Sequence, residues 1–251
     1  MEKSPASTAA RTLIGLKDGW RKTVVESDGS LVLPHGKVSF GLNDKPLGAA
    51  APPVQKLFRG YLPAVATQDV QGDLGAGLLA FTGRTPWGPV EFVRVRLRAN
   101  SGAPRAVRFT VAYHGAGEPA GTNAVSRTDA SGRAYLVVVG QGGAEGWKAS
   151  AVRDTVILER SATLAPADPA EFWVLLPWEA FPSDQKGVEA LDGEEALEGM
   201  AAEWETLLSK GTNLLLPDEE VLHAAKAALA QLLLLRERDA RGWYPAAGPG
   251  R

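Results

Sequence analysis

The strict alternation over residues 90–113 restricts the fold more than any other feature of this chain. Val93, Val95 and Leu97 interleave with Arg94, Arg96 and Arg98; Val107, Phe109, Val111 and Tyr113 then interleave with Arg108, Thr110 and Ala112. A period of two gives each segment one apolar and one polar face, a pattern that suits a half-buried strand and no helix. Asn100-Ser101-Gly102-Ala103-Pro104 between them reads as a turn. The stretch therefore predicts an antiparallel hairpin with one face on a core and the other in water.

The surrounding sequence repeats the theme in shorter pieces. Trp20–Glu26 and Leu31-Val32-Leu33 flank Ser27-Asp28-Gly29-Ser30, a strong turn signal, and residues 43–53 read as a loop. Val54–Tyr61, Ala64–Val70, Leu74–Phe81, Val152–Arg160 and Phe172–Leu176 are further strand candidates. Tyr135–Val139 is a continuous apolar run, which predicts a strand buried on both faces. With 28 Gly and 17 Pro, most of them in the first 190 residues, and no helical period among these segments, the fold class is mainly β. The expected architecture is an antiparallel β-sandwich over residues 1–180, followed by C-terminal helices.

Near residue 177 the period changes. Asp184–Ala190 is polar and loop-like, whereas Gly193–Leu208 places Leu197, Met200, Trp204, Leu207 and Leu208 on one helical face. Pro217-Asp218-Glu219-Glu220 is a good helix start, since Pro suits the first turn and acids suit the dipole there. The helix expected from Val221 to about Asp239 ends in Leu232-Leu233-Leu234-Leu235, apolar nearly all round, and it needs cover on more than one side. The sandwich, further helices, or a second copy pairing through Val221–Leu235 in a homodimer would each supply that cover.

Composition removes several function classes. The formal net charge of −2 offers no electrostatic case for nucleic acid or an anionic membrane surface. Without cysteine there are no disulfides or thiolate metal sites, and no apolar run approaches the ~20 residues of a membrane span. The start, Met-Glu-Lys-Ser-Pro-Ala-Ser-Thr-Ala-Ala, lacks the apolar segment of a signal peptide. A soluble protein is expected, cytoplasmic or exported with a signal absent from this chain. Charge is uneven: the acid-rich stretch 168–220 has only Lys186 and Lys210 as basic residues.

The order Trp204, Gly211, Pro217-Asp218, a long helix, then Trp243-Tyr244-Pro245 resembles the entry into the helical toroid of six-hairpin glycosidases, the glucoamylase-like and α-L-rhamnosidase-like enzymes. The resemblance implies a galactose-mutarotase-like sandwich over residues 1–180, a helical linker over 181–216, and the first helix of an (α/α)6 toroid within 217–251. It implies an inverting glycoside hydrolase whose general acid and base come from toroid loops beyond the first hairpin, so no catalytic residue is assigned here and the chain alone is expected to be inactive. Trp243 and Tyr244 would lie nearest the substrate.

Other candidate chemistry is thin. Gly140–Gly146 follows an apolar strand but has Glu145 where a dinucleotide fingerprint needs Gly, and Trp147–Glu159 is strand-like, so it reads as a glycine loop. His35, His114 and His223 lack partners at metal-ligand spacing; neither a metal nor a cofactor is implied. The Arg94/Arg96/Arg98/Arg108 face suits solvent, a docked helical domain or an acidic glycan. Trp87 and Trp147 lie beside turn residues and are the candidates for stacking on a carbohydrate surface, the expected partner. A stand-alone carbohydrate-binding or dimerising sandwich is the alternative reading.

Overall fold

A computed structural model describes residues 11–17, 19, 22–86, 88–129, 132–140, 146–166, 168–178, 185–210, 218–239 and 242–245. The chain begins with β1 (Thr12–Ile14), β2 (Thr23–Val25), β3 (Leu31–Leu33), β4 (Gly36–Leu42), β5 (Lys45–Pro46) and β6 (Val54–Phe58). It continues through the long strands β7 (Leu62–Gln71), β8 (Leu74–Thr85), β9 (Gly88–Ala99) and β10 (Arg105–His114). Then come β11 (Glu118–Ala120), β12 (Ala124–Asp129), β13 (Gly132–Gly140), β14 (Trp147–Val152), β15 (Thr155–Leu164) and β16 (Ala170–Pro177). Three helices follow, α1 (Gln185–Glu189), α2 (Gly193–Ser209) and α3 (Glu219–Leu234), before a two-stranded ribbon of β17 (Arg236–Asp239) and β18 (Gly242–Pro245).

The strands form two antiparallel sheets. One has the order β1-β2-β3-β4-β10-β15-β14, with β5 also on β4; the other runs β11-β12-β13-β16-β9-β8-β7-β6. Together they make the expected mainly-β sandwich. Between the sheets lies an apolar core that includes Val38, Phe40, Leu78, Val93, Val95, Phe109, Val111, Leu158 and Val174, all nearly inaccessible. The second sheet is apolar on its other face as well. Leu62, Ala64, Leu79, Phe81, Val90, Phe92 and Leu175 there meet Val188 of α1, Leu197, Met200 and Trp204 of α2, and Ala230 and Leu234 of α3. The result is three layers: sheet, sheet, helices. Leu136 and Val138 face the inter-sheet core and Val137 the helical layer, so the described part of that apolar run, 136–138, is buried on both faces as its composition required.

The structure corrects the reading of residues 90–113. β9 pairs with β8 and β16, whereas β10 pairs with β4 and β15 in the other sheet. Residues 100–104 are thus an arch from one sheet to the next rather than a hairpin turn. Both apolar faces still look into one core, but across the gap of ~10 Å between packed sheets instead of side by side. Alternation states which face is buried; it does not distinguish a strand's neighbour from the strand opposite it.

Two helical boundaries also differ from expectation. Residues 185–189 form a short helix, and α3 stops at Leu234 instead of running to about 239. Arg236–Asp239 alternates charge and pairs antiparallel with Gly242–Pro245, so a ribbon replaces the last turn. At the other end, the Asp218 carboxylate accepts hydrogen bonds from the backbone N–H groups of Glu220 and Val221, and Asp192 caps α2 through those of Glu194 and Glu195. Acids in both first turns add to the cap through the helix dipole.

Candidate functional site

Along β9 the inward positions are Glu91, Val93, Val95, Leu97 and Ala99, so one carboxylate opens an otherwise apolar series. Glu91 is wholly inaccessible. Thr23 Oγ1 from β2 donates to its Oε1 at 2.5 Å and Trp178 Nε1 donates to the same oxygen at 2.8 Å, while Thr82 Oγ1 from β8 donates to Oε2 at 2.7 Å. Both sheets and the residue that follows β16 therefore converge on one side chain. Burial pushes the Glu91 carboxyl up to about 7; the hydrogen bonds from Thr23, Thr82 and Trp178, and then the Lys22 charge, pull the other way.

Polar burial extends from Trp178 to Arg127, whose Nη2 donates to the Trp178 carbonyl at 2.6 Å and to that of Pro177 at 3.4 Å. Arg127 lines a small recess with His35, Tyr113, Val125, Leu136, Leu176 and Pro177. Tyr113 Oη donates to the His35 carbonyl at 2.8 Å, and burial pushes the Tyr113 hydroxyl up. The recess has room for about one water. Glu91 does not line this recess, which is too small to be a substrate pocket.

The histidines occupy separate places. On the outer face of the first sheet, His114 Nε2 lies 2.8 Å from Ser39 Oγ and Nδ1 lies 3.1 Å from Thr155 Oγ1; burial and then the Lys37 charge lower its pKa. Among the described residues no carboxylate completes that chain of contacts. His223 of α3 packs its ring 5.2 Å from that of Tyr61 and faces the left-handed Arg59-Gly60 turn, where a Cβ on Gly60 would stand 2.6 Å from His223 Nδ1. It is an interfacial residue, holding α3 to the β6–β7 corner. Among the described residues no group of three or more His, Cys, Asp or Glu could hold a metal ion.

The residues singled out for carbohydrate fare unequally. Trp147 is 3% exposed, with its ring edge-on to Phe172 at 5.2 Å in the inter-sheet core. The surface position expected for it is corrected: a neighbouring glycine turn at Gly146 starts the strand, but the Trp147 side chain points inward. Trp87 lies outside the described residues, as do residues 141–145 of the glycine loop and the Thr212–Pro217 segment. Trp243 and Tyr244 lie in β18, opposite Arg238 and Glu237 of β17. Among the described side chains, the large apolar ones left exposed are aliphatic, and none is aromatic.

Three of those exposed residues fall on α3: Val221 at 52%, Leu229 at 37% and Leu232 at 58%. With exposed Ala224 and Ala228 they form a stripe along the helix, on the side away from buried Ala230 and Leu234. The sandwich thus covers one side of α3 and leaves another open. Arg94 is the arginine of its row that meets the helical layer, through Glu194 Oε1 at 2.8 Å and the Trp173 ring.

No family model matches the sequence, and no curated protein does. Among solved structures, a bacterial glucoamylase in complex with acarbose superposes on 92% of this chain with a TM-score of 0.57 and 9% sequence identity. A protein provisionally assigned as a kojibiose phosphorylase from the human microbiome covers 87% of the chain at 7% identity, but its TM-score of 0.40 is too low to argue from. The chain spans 42% of the glucoamylase and 29% of the second protein. The glucoamylase likeness shows a shared fold over nearly all of this chain, the fold that the Trp204-to-Tyr244 pattern implied.

Proposed function

We propose that this chain is the β-sandwich part of a carbohydrate-active protein, a glycoside hydrolase whose acid and base are supplied by an adjoining helical unit. Residues 1–180 would be the sandwich, 181–216 the linker, and 217–251 the start of the helical unit. The single observation that carries this reading is the superposition on a bacterial glucoamylase over 92% of the chain. The open stripe of Val221, Ala224, Ala228 and Leu232 supports it, because a following helix could cover that side of α3. Hydrolysis of a glycoside needs two carboxyl groups about 5–9.5 Å apart around an accessible bond. Glu91 is sealed and cannot serve.

The test is to read the coding sequence beyond Arg251 and assay whatever it encodes. Continuation into helical hairpins, with glycosidase activity in the longer chain, is the expected result. A stop codon directly after Arg251 would overturn the reading.

A second reading is favoured by the same stripe, namely that α3 pairs with its copy in a homodimer. The lack of an exposed aromatic among the described side chains weighs against a stand-alone sugar-stacking module.

A further inference from the structure

The helical layer covers only part of the second sheet's outer face. It ends at the row Lys56–Ala66–Leu79–Arg94–Trp173, where Gly193 presses on the Trp173 ring and Glu194 holds Arg94. The next row on that face is Val54–Gln68–Gly77–Arg96–Glu171, and beyond it Val70–Gly75–Arg98. Val54, Gln68, Val70, Arg96 and Arg98 are all exposed. Gly77 has no side chain to raise the floor, and an added Cβ there would meet only the Arg96 carbonyl, at 3.8 Å. Arg98 lies over Gly75, where a Cβ would stand 2.9 Å from its Nε and push the guanidinium off the strand.

Among the described residues the charges here are only partly balanced. Arg96 reaches Glu171 only at 3.9 Å with 63% of its side chain exposed, and Arg98 has no ion pair among the described residues. Arg96 and Arg98 project from one strand two residues apart, hence about 6–7 Å. Guanidinium groups grip carboxylates bidentately, and they keep their charge at any working pH.

We propose that this uncovered, glycine-floored end of the second sheet binds a carboxylate-bearing saccharide, with Arg96 and Arg98 taking its carboxylates and Gln68 its hydroxyls. The inference rests on the carbohydrate reading above and names a ligand class for this face. An acidic peptide fits less well. β8 and β9 are paired on both sides, so the face offers no free main-chain groups for an added strand. A saccharide needs none: its ring packs on the bare floor at Gly77, between Arg96 of β9 and Gln68 of β7, with Val70 beside it.

The experiment is calorimetric titration of residues 1–251 with an oligogalacturonate, a neutral malto-oligosaccharide of equal length, and an oligoglutamate peptide. Saturable binding of the oligogalacturonate alone is expected, weakened at least tenfold in Arg96→Ala/Arg98→Ala and weakened by salt. Both arginines are exposed, so the double variant should melt within a few degrees of wild type, and a melt confirms that it is folded. Absence of oligogalacturonate binding at millimolar ligand, equal binding of oligoglutamate, or binding unchanged in the double variant would each overturn the proposal. Glycosidase activity in the longer reading frame would meanwhile leave the carbohydrate reading standing, so the two failures are separable.

Discussion

Trp178 Nε1 donates a 2.8 Å hydrogen bond to Glu91 Oε1, tying the start of β9 to the point where the chain leaves the sandwich for its helices. Thr23 binds the same carboxylate from the opposite sheet. One ionisable group therefore joins three parts of the fold, and its protonation state is coupled to their cohesion.

The sign of that coupling follows from the shift. Glu91 is raised from 4.5 to about 7, so the folded chain holds the proton more tightly than the unfolded one. The resulting stability is fully present below about 4.5 and is lost as pH rises through about 7, a change of about 3 kcal/mol at most. Glu91→Gln should flatten this dependence: its oxygen can accept from Thr23 and Trp178, and its amide can donate to Thr82. Thermal melts of both proteins from pH 5 to 8 check it; parallel pH profiles would refute the role of Glu91.

Gly193 opens α2 with its backbone against Trp173, where a Cβ would come within 2.4 Å of the indole. Gly193→Ala must move the helix or the ring, and overpacking of this kind costs about 1–3 kcal/mol. Denaturant unfolding should show that loss, with Glu194 no longer reaching Arg94. Unchanged stability would mean that α2 is not seated as described.

Trp147→Ala should behave as a core truncation, destabilising the chain by about 3–5 kcal/mol, because its ring fills the space against Phe172. Its buried Nε1 has no hydrogen-bond partner among the described residues, so Trp147→Phe should cost markedly less than Trp147→Ala. Chemical denaturation of the two variants distinguishes them; equal losses would place the ring outside the core.

Residues 1–251 on their own should self-associate through the exposed side of α3. Leu232→Glu places a charge at a position 58% exposed, so the monomer should keep its melting temperature while association is lost. Sedimentation at several concentrations decides this, and a wild-type monomer at every concentration would contradict it.

Much of the fold was legible because burial leaves a periodic trace. Val93, Val95 and Leu97 announced an inward face, Leu136–Val138 a doubly covered strand, and Asp218-Glu219-Glu220 a helix start. Pairing was not legible, since β10 faces β9 across the core without bonding to it and alternation looks the same in either case. Glu91 could have been found: it occupies the inward parity two positions before Val93, and a carboxylate there demands partners. Those partners, Thr23, Thr82 and Trp178, are spread over 155 positions of sequence (178 − 23) and meet only in the folded chain. Trp147 misled because a glycine turn predicts where the backbone is exposed, not where the next side chain points.

The most direct test of the proposed function is reducing-sugar release by purified residues 1–251 against a panel of neutral and acidic glycans. The expected result is no hydrolysis above background at any pH from 4 to 8, because among the described residues the one carboxyl held near neutrality is sealed beneath Thr23, Thr82 and Trp178. Turnover of any glycan at enzyme-like rates, about 1 per second or more, would contradict the account, since it would place a working acid–base pair within these 251 residues.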